Sequence, residues 1–235
     1  MKRGIKTKQG FSHIEVVLSF VIFLGFLIFL FAIFNPFKIN SKSDVYIDIT
    51  ERAIMDNISA KVDFFTMKLK EDASGCFYFT YGLNLSNIVV KDNSYSRTDA
   101  SSILIDNKKQ IKIDGAGNFF YIYSSDEFEE SVVSGSCEEL TGDEYNIGLF
   151  RSYEMVSFSK LNSLAENYNS DYLNLKKGMG LTKDFSFNVR ESSGNITLTT
   201  NKKTPKTEVF ARDKPIQLVY QNGSFKYAIL NIKTW

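Results

Sequence analysis

The chain is poor in the side chains that most often carry chemistry. Its 235 residues include one histidine, His13, which removes His-based catalysis and His-rich metal sites from everything beyond that position. There are two cysteines, Cys76 and Cys137, and no C-x-x-C; P-loop, G-x-G-x-x-G and G-x-S-x-G motifs are missing as well, as are internal repeats. The fourteen glycines are scattered at turn positions. Acidic pairs such as Asp126-Glu127 have no framework that would raise one pKa above the other, so a hydrolase is the weakest reading. No enzyme, no cofactor and no metal centre is expected. An excess of one charge is also lacking. Lys2, Arg3, Lys6 and Lys8 put four cations into the first ten residues, leaving 24 basic against 27 acidic side chains in the rest. That remainder has no basic stripe, so nucleic acid is not expected as a partner.

What is present begins with a long apolar run. Residues 16–34 are 19 positions interrupted only by Ser19 and Gly25. As helix they reach about 28 Å, close to the ~30 Å hydrocarbon core of a bilayer. The cationic tip before the run, set against Lys38 and Lys42 mixed with Asp44 and Asp48 after it, predicts a cytoplasmic N-terminus and a domain outside. The run is longer than a cleaved signal's apolar region and ends in bulky Phe34-Asn35-Pro36 without a small-x-small site, so conventional signal cleavage is not expected. Glu15 is the last charge before the run, and an ionisable group at the mouth of a span is a functional hypothesis by default. Outside the cytoplasm, Cys76 and Cys137 are candidates for a single disulfide; the alternative is two buried thiols that never meet.

The stretch Gly10-Phe11-Ser12-His13-Ile14-Glu15, after a short basic leader and before an apolar helix, resembles the class III signal of type IV prepilins and pseudopilins. The resemblance covers residues 8–34. It implies cleavage by a prepilin peptidase between Gly10 and Phe11, methylation of the new amine on Phe11, and a role in assembly for Glu15, the fifth mature residue. It also implies other pilin-like subunits, the pilus assembly machinery and membrane lipid as partners. The sequence departs from the family's pattern at His13, where the third mature residue is usually apolar, at Gln9 between the leader cation and Gly10, and at Asn35-Pro36, where the family's helix continues. The chemistry of the residues agrees: the cut removes all four leader cations and leaves an amine one helical turn from the Glu15 carboxylate, which can pair with it within or between subunits.

Periodicity predicts an α+β chain: leader 1–10, transmembrane and filament-core helix 11–36, and an extracytoplasmic domain 37–235. In that domain Ser43 or Asp44 caps a spine helix to about Ile58, with Val45, Ile49 and Ala53 on its packed side beside Ile54 and Ile58, and Asp48, Glu51, Arg52 and Asp56 in water. Alternation predicts strands at 61–64, 66–69, 76–81, 87–90, 118–123, 184–189, 195–200 and 208–211, and hairpins of 102–105 with 110–113 and of 216–220 with 225–234. The last turns at Asn222-Gly223, which suits type I′. A second helical segment is expected from a Ser157 or Ser159 cap through Leu161, Leu164, Ala165 and Tyr168, followed by a short piece at 171–177.

The acidic segment 124–144 reads as a solvated loop and not a calcium site, since no D-x-D-x-D-G frame is present. Sequons at Asn57, Asn84, Asn195 and Asn222 are usable only in an organism that N-glycosylates outside the cell. The 33 Tyr and Phe residues alternate along strands, so core packing explains them better than a carbohydrate-binding platform. Two functional readings follow: a minor pilin or pseudopilin that assembles into a surface filament or secretion pseudopilus, and an uncleaved single-pass surface protein with a β-rich ligand-binding domain.

Overall fold

The computed structural model describes residues 13–34, 42–82, 85–105, 108–191, 196–200, 205 and 208–235. The chain divides into two units, residues 1–42 and 43–235. In the first, α1 (His13–Phe34) is a 22-residue helix, about 33 Å at 1.5 Å per residue. It is long and apolar enough to cross a membrane, and its large side chains, among them Phe20, Phe23 and Phe26, are exposed. The leader, Phe11 and the Asn35-Pro36 break lie outside the described residues.

The second unit is a mixed α+β domain. It opens with α2 (Lys42–Ile58) and β1 (Ser59–Tyr81), then β2 (Ile88–Lys91), β3 (Arg97–Ile105) and β4 (Lys108–Ser124). Short pieces β5 (Glu138–Glu139) and β6 (Tyr145–Ile147) precede β7 (Arg151–Ser157), α3 (Phe158–Ser170) and α4 (Tyr172–Gly178). The chain closes with β8 (Phe185–Glu191), β9 (Ile196–Thr199), β10 (Phe210–Val219) and β11 (Phe225–Thr234). Among the described residues the sheet runs β2-β3-β4-β1-β7-β10-β11-β8-β9, with β5 and β6 also on β1. All neighbours are antiparallel except β7–β10 and β1–β5.

Two larger cores fill the domain, beside a smaller third of Ala60, Val62, Val89, Phe128 and Val219 against which Tyr123, Met155 and Phe225 pack. Helices α2 and α3 cover one, built from Ile54, Ile58, Leu161, Leu164 and Tyr168 against Phe185, Phe187, Leu218 and Leu230. The other forms because the β1–β4 ribbon bends where its register shifts between Lys68 and Ala73, next to Gly75 and Gly117, both at positive φ. Phe65 and Met67 before the bend then meet Phe77 and Phe79 beyond it, and Ile111 and Ile113 meet Phe120 and Ile122. Strand β2 pairs with both β3 and β4, closing a circuit of strands round this core.

Several sequence expectations change. The predicted strands at 61–64, 66–69 and 76–81 are one bent strand, those at 110–113 and 118–123 are likewise one strand, β4, and β5, β6 and β7 were not foreseen. The segments at 208–211 and 216–220 merge through Pro215, which is tolerated because β7 joins β10 only at Leu218 and Val219 and leaves an edge at the proline. Helix α2 starts at Lys42, ahead of both predicted caps. Its packed stripe is Ile47, Thr50, Ile54 and Ile58, while Val45 and Ile49 stay 47% and 50% exposed. The helix offers two apolar stripes, and the chosen one brings Glu51 to β10, where Arg212 donates to it at 3.1 Å and Lys214 at 2.5 Å; Arg212 also pairs with Asp48. Burial alone would raise the Glu51 pKa, but these two cations outweigh it and hold the carboxyl low.

The Asn222-Gly223 hairpin forms, but not as type I′, because only Gly223 has positive φ (76°). Gly223 N–H donates to the Tyr220 carbonyl at 2.9 Å and Tyr220 N–H to Ser224 O at 3.0 Å, a three-residue turn with the glycine in the left-handed position. A Cβ at 223 would also meet Val89 Cγ1 at 2.4 Å. The second helical segment is as the periodicity predicts: Ser157 caps α3, accepting from Lys160 N–H at 3.1 Å, and Leu161, Leu164, Ala165 and Tyr168 are buried.

Candidate functional site

Three features gather the functional candidates. The first is the N-terminal helix. Glu15 lies in the first turn of α1 and is exposed, so its carboxylate stands at the N-terminal end of an apolar rod, where the helix dipole favours a negative charge. Gly10 and Phe11, the cleavage and methylation candidates, lie outside the described residues.

The second is the disulfide. Strand β5 runs parallel to β1 with Phe77 opposite Glu138 and Tyr78 opposite Glu139, and the same register one residue back puts Cys76 beside Cys137. The two cysteines are bonded, with Cα atoms 4.7 Å apart. The bond ties the acidic segment to the bent strand across 61 residues of sequence. Reduction of the intact protein is expected to lower its unfolding free energy by about 2–4 kcal/mol. Urea titrations with and without reductant measure this; two reactive thiols in natively exported protein would contradict the bond.

The acidic segment itself disperses. Glu127 is taken up by α3, where Lys160 Nζ lies 2.8 Å away and Ser157 and Ser159 donate to it. Burial pushes this carboxyl up, yet those three donors outweigh it and hold its pKa below the usual range. Its stabilisation is present above the unfolded-state carboxylate pKa and is lost as pH falls through the lower folded value. Glu139 accepts from the Tyr78 hydroxyl at 3.0 Å, and Glu144 from Thr141 N–H at 2.6 Å. A cleft of about 510 Å³ beside the disulfide is lined by Glu71, Asp72 and Asp143 among others, but no three candidate ligands converge on a metal site among the described residues. Of the sequons, Asn57 ends α2 and donates to Ala53 O at 2.8 Å, and Asn222 holds the β10–β11 turn through Ser224; Asn84 and Asn195 lie outside the described residues.

The third feature was not anticipated. Burial takes one set of aromatics into the cores, but alternation sends another to the opposite face. Register places Phe64 against Tyr123 and Thr66 against Tyr121, so both tyrosines share the outer face with Phe64, and Phe119 follows opposite Lys68. Ring centroids are 5.0 Å apart for Phe64 and Tyr123, 5.1 Å for Phe119 and Tyr121, and 4.9 Å for Tyr123 and Phe225. Tyr95 is the only non-glycine residue at positive φ (59°) among the described residues, a conformation costing about 1–3 kcal/mol. Asp92 holds it there, its carboxylate accepting from the N–H groups of Ser94 and Ser96 at 2.8 and 3.0 Å. The result is that the Tyr95 ring stacks on Tyr121, centroids 4.6 Å apart and 16° from parallel. A hydrogen bond with Tyr95 raises the Tyr121 pKa, and burial, with the phenols of Tyr95, Tyr121 and Tyr153 close by, pushes Tyr123 up to about 12. Core packing thus accounts for only part of the aromatic content.

No family model, curated protein or solved structure matches this chain.

Proposed function

We propose that the chain is a type IV pilin-like structural subunit, a minor pilin or pseudopilin, cut by a prepilin peptidase between Gly10 and Phe11 and drawn from the membrane into a filament. The observation that carries this reading is the junction Gly10-Phe11 with Glu15 four residues on, followed at once by α1, a helix whose apolar side chains are exposed along its length. Such a rod needs either lipid or other rods around it. In this reading the leader lies in the cytoplasm, residues 43–235 lie outside, and α2 is the spine helix of the extracytoplasmic domain. The subunit does no chemistry of its own. Its size, with 201 residues after position 34, suits a minor rather than a major subunit.

Co-expression with a prepilin peptidase tests the reading. Wild-type chain is expected to shorten by the ten-residue leader, and Gly10→Val to remain at full length. A wild-type chain left uncut by an active peptidase would transfer the protein to the second reading, a permanently anchored surface protein, which the outward aromatic face favours.

A further inference from the structure

The outer face that carries the aromatic rings also carries cations. Opposite Phe64 on β7 stands Arg151, opposite Phe119 on β1 stands Lys68, and opposite Tyr121 on β2 stands Lys91. Lys91 is paired in turn with Arg97 on β3, whose guanidinium donates to Asn222 O at 2.8 Å beside Phe225. The Lys91 ammonium lies 4.6 Å from the Phe225 ring centroid and 5.7 Å from that of Tyr123. Lys68, Arg97 and Arg151 are exposed, as are Tyr95 and Tyr153, while Lys91, Phe64, Tyr121 and Tyr123 are half-buried, Tyr123 and Phe225 packing against the small core of Val62, Val89, Phe128 and Val219. From Ala60 to Lys68 of β1, and along β7, β2 and residues 119–123 of β4, no carboxylate shares this face. Asp92 is occupied in its turn, and Asp99 follows Arg97 farther along β3.

We infer that this face is a binding platform for a single strand of nucleic acid, bases stacking on Tyr95, Tyr121 and their neighbouring rings while Lys68, Lys91, Arg97 and Arg151 take the phosphates. Four cations against the carboxylates of Asp92 and Asp99 favour an anionic ligand, and a neutral glycan offers no partner for them. The rings select among anions. Every base has a flat π face for an aromatic side chain, whereas an acidic polysaccharide satisfies the charges but leaves the rings with less to do. Duplex DNA hides its bases from such a surface. Tyr95 is the second, independent observation: a bulky residue is held in the left-handed region and presents its ring at the edge of the stack. These cations are scattered through the sequence, which is why composition shows no basic stripe; the pairing of five strands, β7, β1, β4, β2 and β3, brings them together.

The test is fluorescence anisotropy of a labelled oligothymidylate of about 15 nucleotides titrated with the full-length chain in nanodiscs of neutral lipid. Micromolar binding is expected at about 50 mM salt, falling about 50-fold by about 200 mM if four phosphates are neutralised. Tyr95→Gly relieves the backbone, so its Tm should not fall, yet affinity should drop about 5-fold or more through loss of one stacking ring. Lys68→Glu with Arg151→Glu should cost at least about 10-fold and flatten the salt dependence. Both variants retain the basic leader, so a loss reports the face. The inference is overturned by no binding at low salt, by variants that bind as tightly as wild type, or by duplex of equal length binding as well. It is equally overturned if alginate displaces the oligonucleotide and binds tighter than it, which would assign the face to acidic polysaccharide.

Discussion

Replacing Glu15 by Gln or Ala is expected to leave membrane insertion and cleavage after Gly10 intact while reducing the chain recovered in sheared filaments by about tenfold or more. Insertion does not need the charge: residues 16–34 already suffice to span, and removing a carboxylate at the edge of hydrocarbon eases partitioning. Assembly is expected to need it, because an amine on Phe11 carried into a bundle of apolar helices would be an uncompensated ion costing a few kcal/mol unless a carboxylate met it. Each ~1.4 kcal/mol lost per subunit is tenfold in the incorporation equilibrium. Comparing cleaved, membrane-bound and sheared fractions for wild type and variant measures this. Equal incorporation would mean that the packing of Phe20, Phe23, Leu27 and Leu30 carries assembly unaided.

The second large effect separates two adjacent residues of β4. Phe120→Ala is expected to destabilise the protein by about 3–5 kcal/mol, since the ring is fully buried and lies 5.5 Å from Phe77 in the core enclosed by the bent ribbon. Tyr121→Ala, one residue on, should cost about 1 kcal/mol or less, because its ring faces outward and loses edge and stacking contacts with Phe64, Phe119 and Tyr95 and a surface hydrogen bond with Tyr95. Chemical denaturation of the two variants measures the difference. Similar losses from both would mean that the outer rings are covered in the native protein and that this face is no platform.

That pair also shows how far the sequence could be read. Period-2 alternation located both halves of β4, and 3.6-residue periodicity located α3, because each buries a single stripe or face, whereas α1 was read from its long apolar run. Helix α2 was harder: Val45, Ile49 and Ala53 form one plausible stripe and Ile47, Thr50, Ile54 and Ile58 another, and Arg212 and Lys214, some 160 residues away, decide between them through Glu51. The bend in β1 was not legible, since it depends on Gly75 and Gly117, both at positive φ, lying on opposite strands beside a register shift. Nor was the aromatic face. Alternation says that Phe119, Tyr121 and Tyr123 share a side, but not that Phe120 and Ile122 take the core, nor that Arg151 and Lys91 join the outer rings from other strands. The roles proposed for Glu15 and for the Gly10-Phe11 junction, by contrast, rest on local sequence and not on the fold.

The most direct test of the filament reading is the mass of the N-terminal peptide of this chain taken from sheared surface filaments. The account predicts a peptide beginning at Phe11, with a methyl group on its α-amine and Glu15 intact. A peptide beginning at Met1, from cells with an active prepilin peptidase, would contradict it.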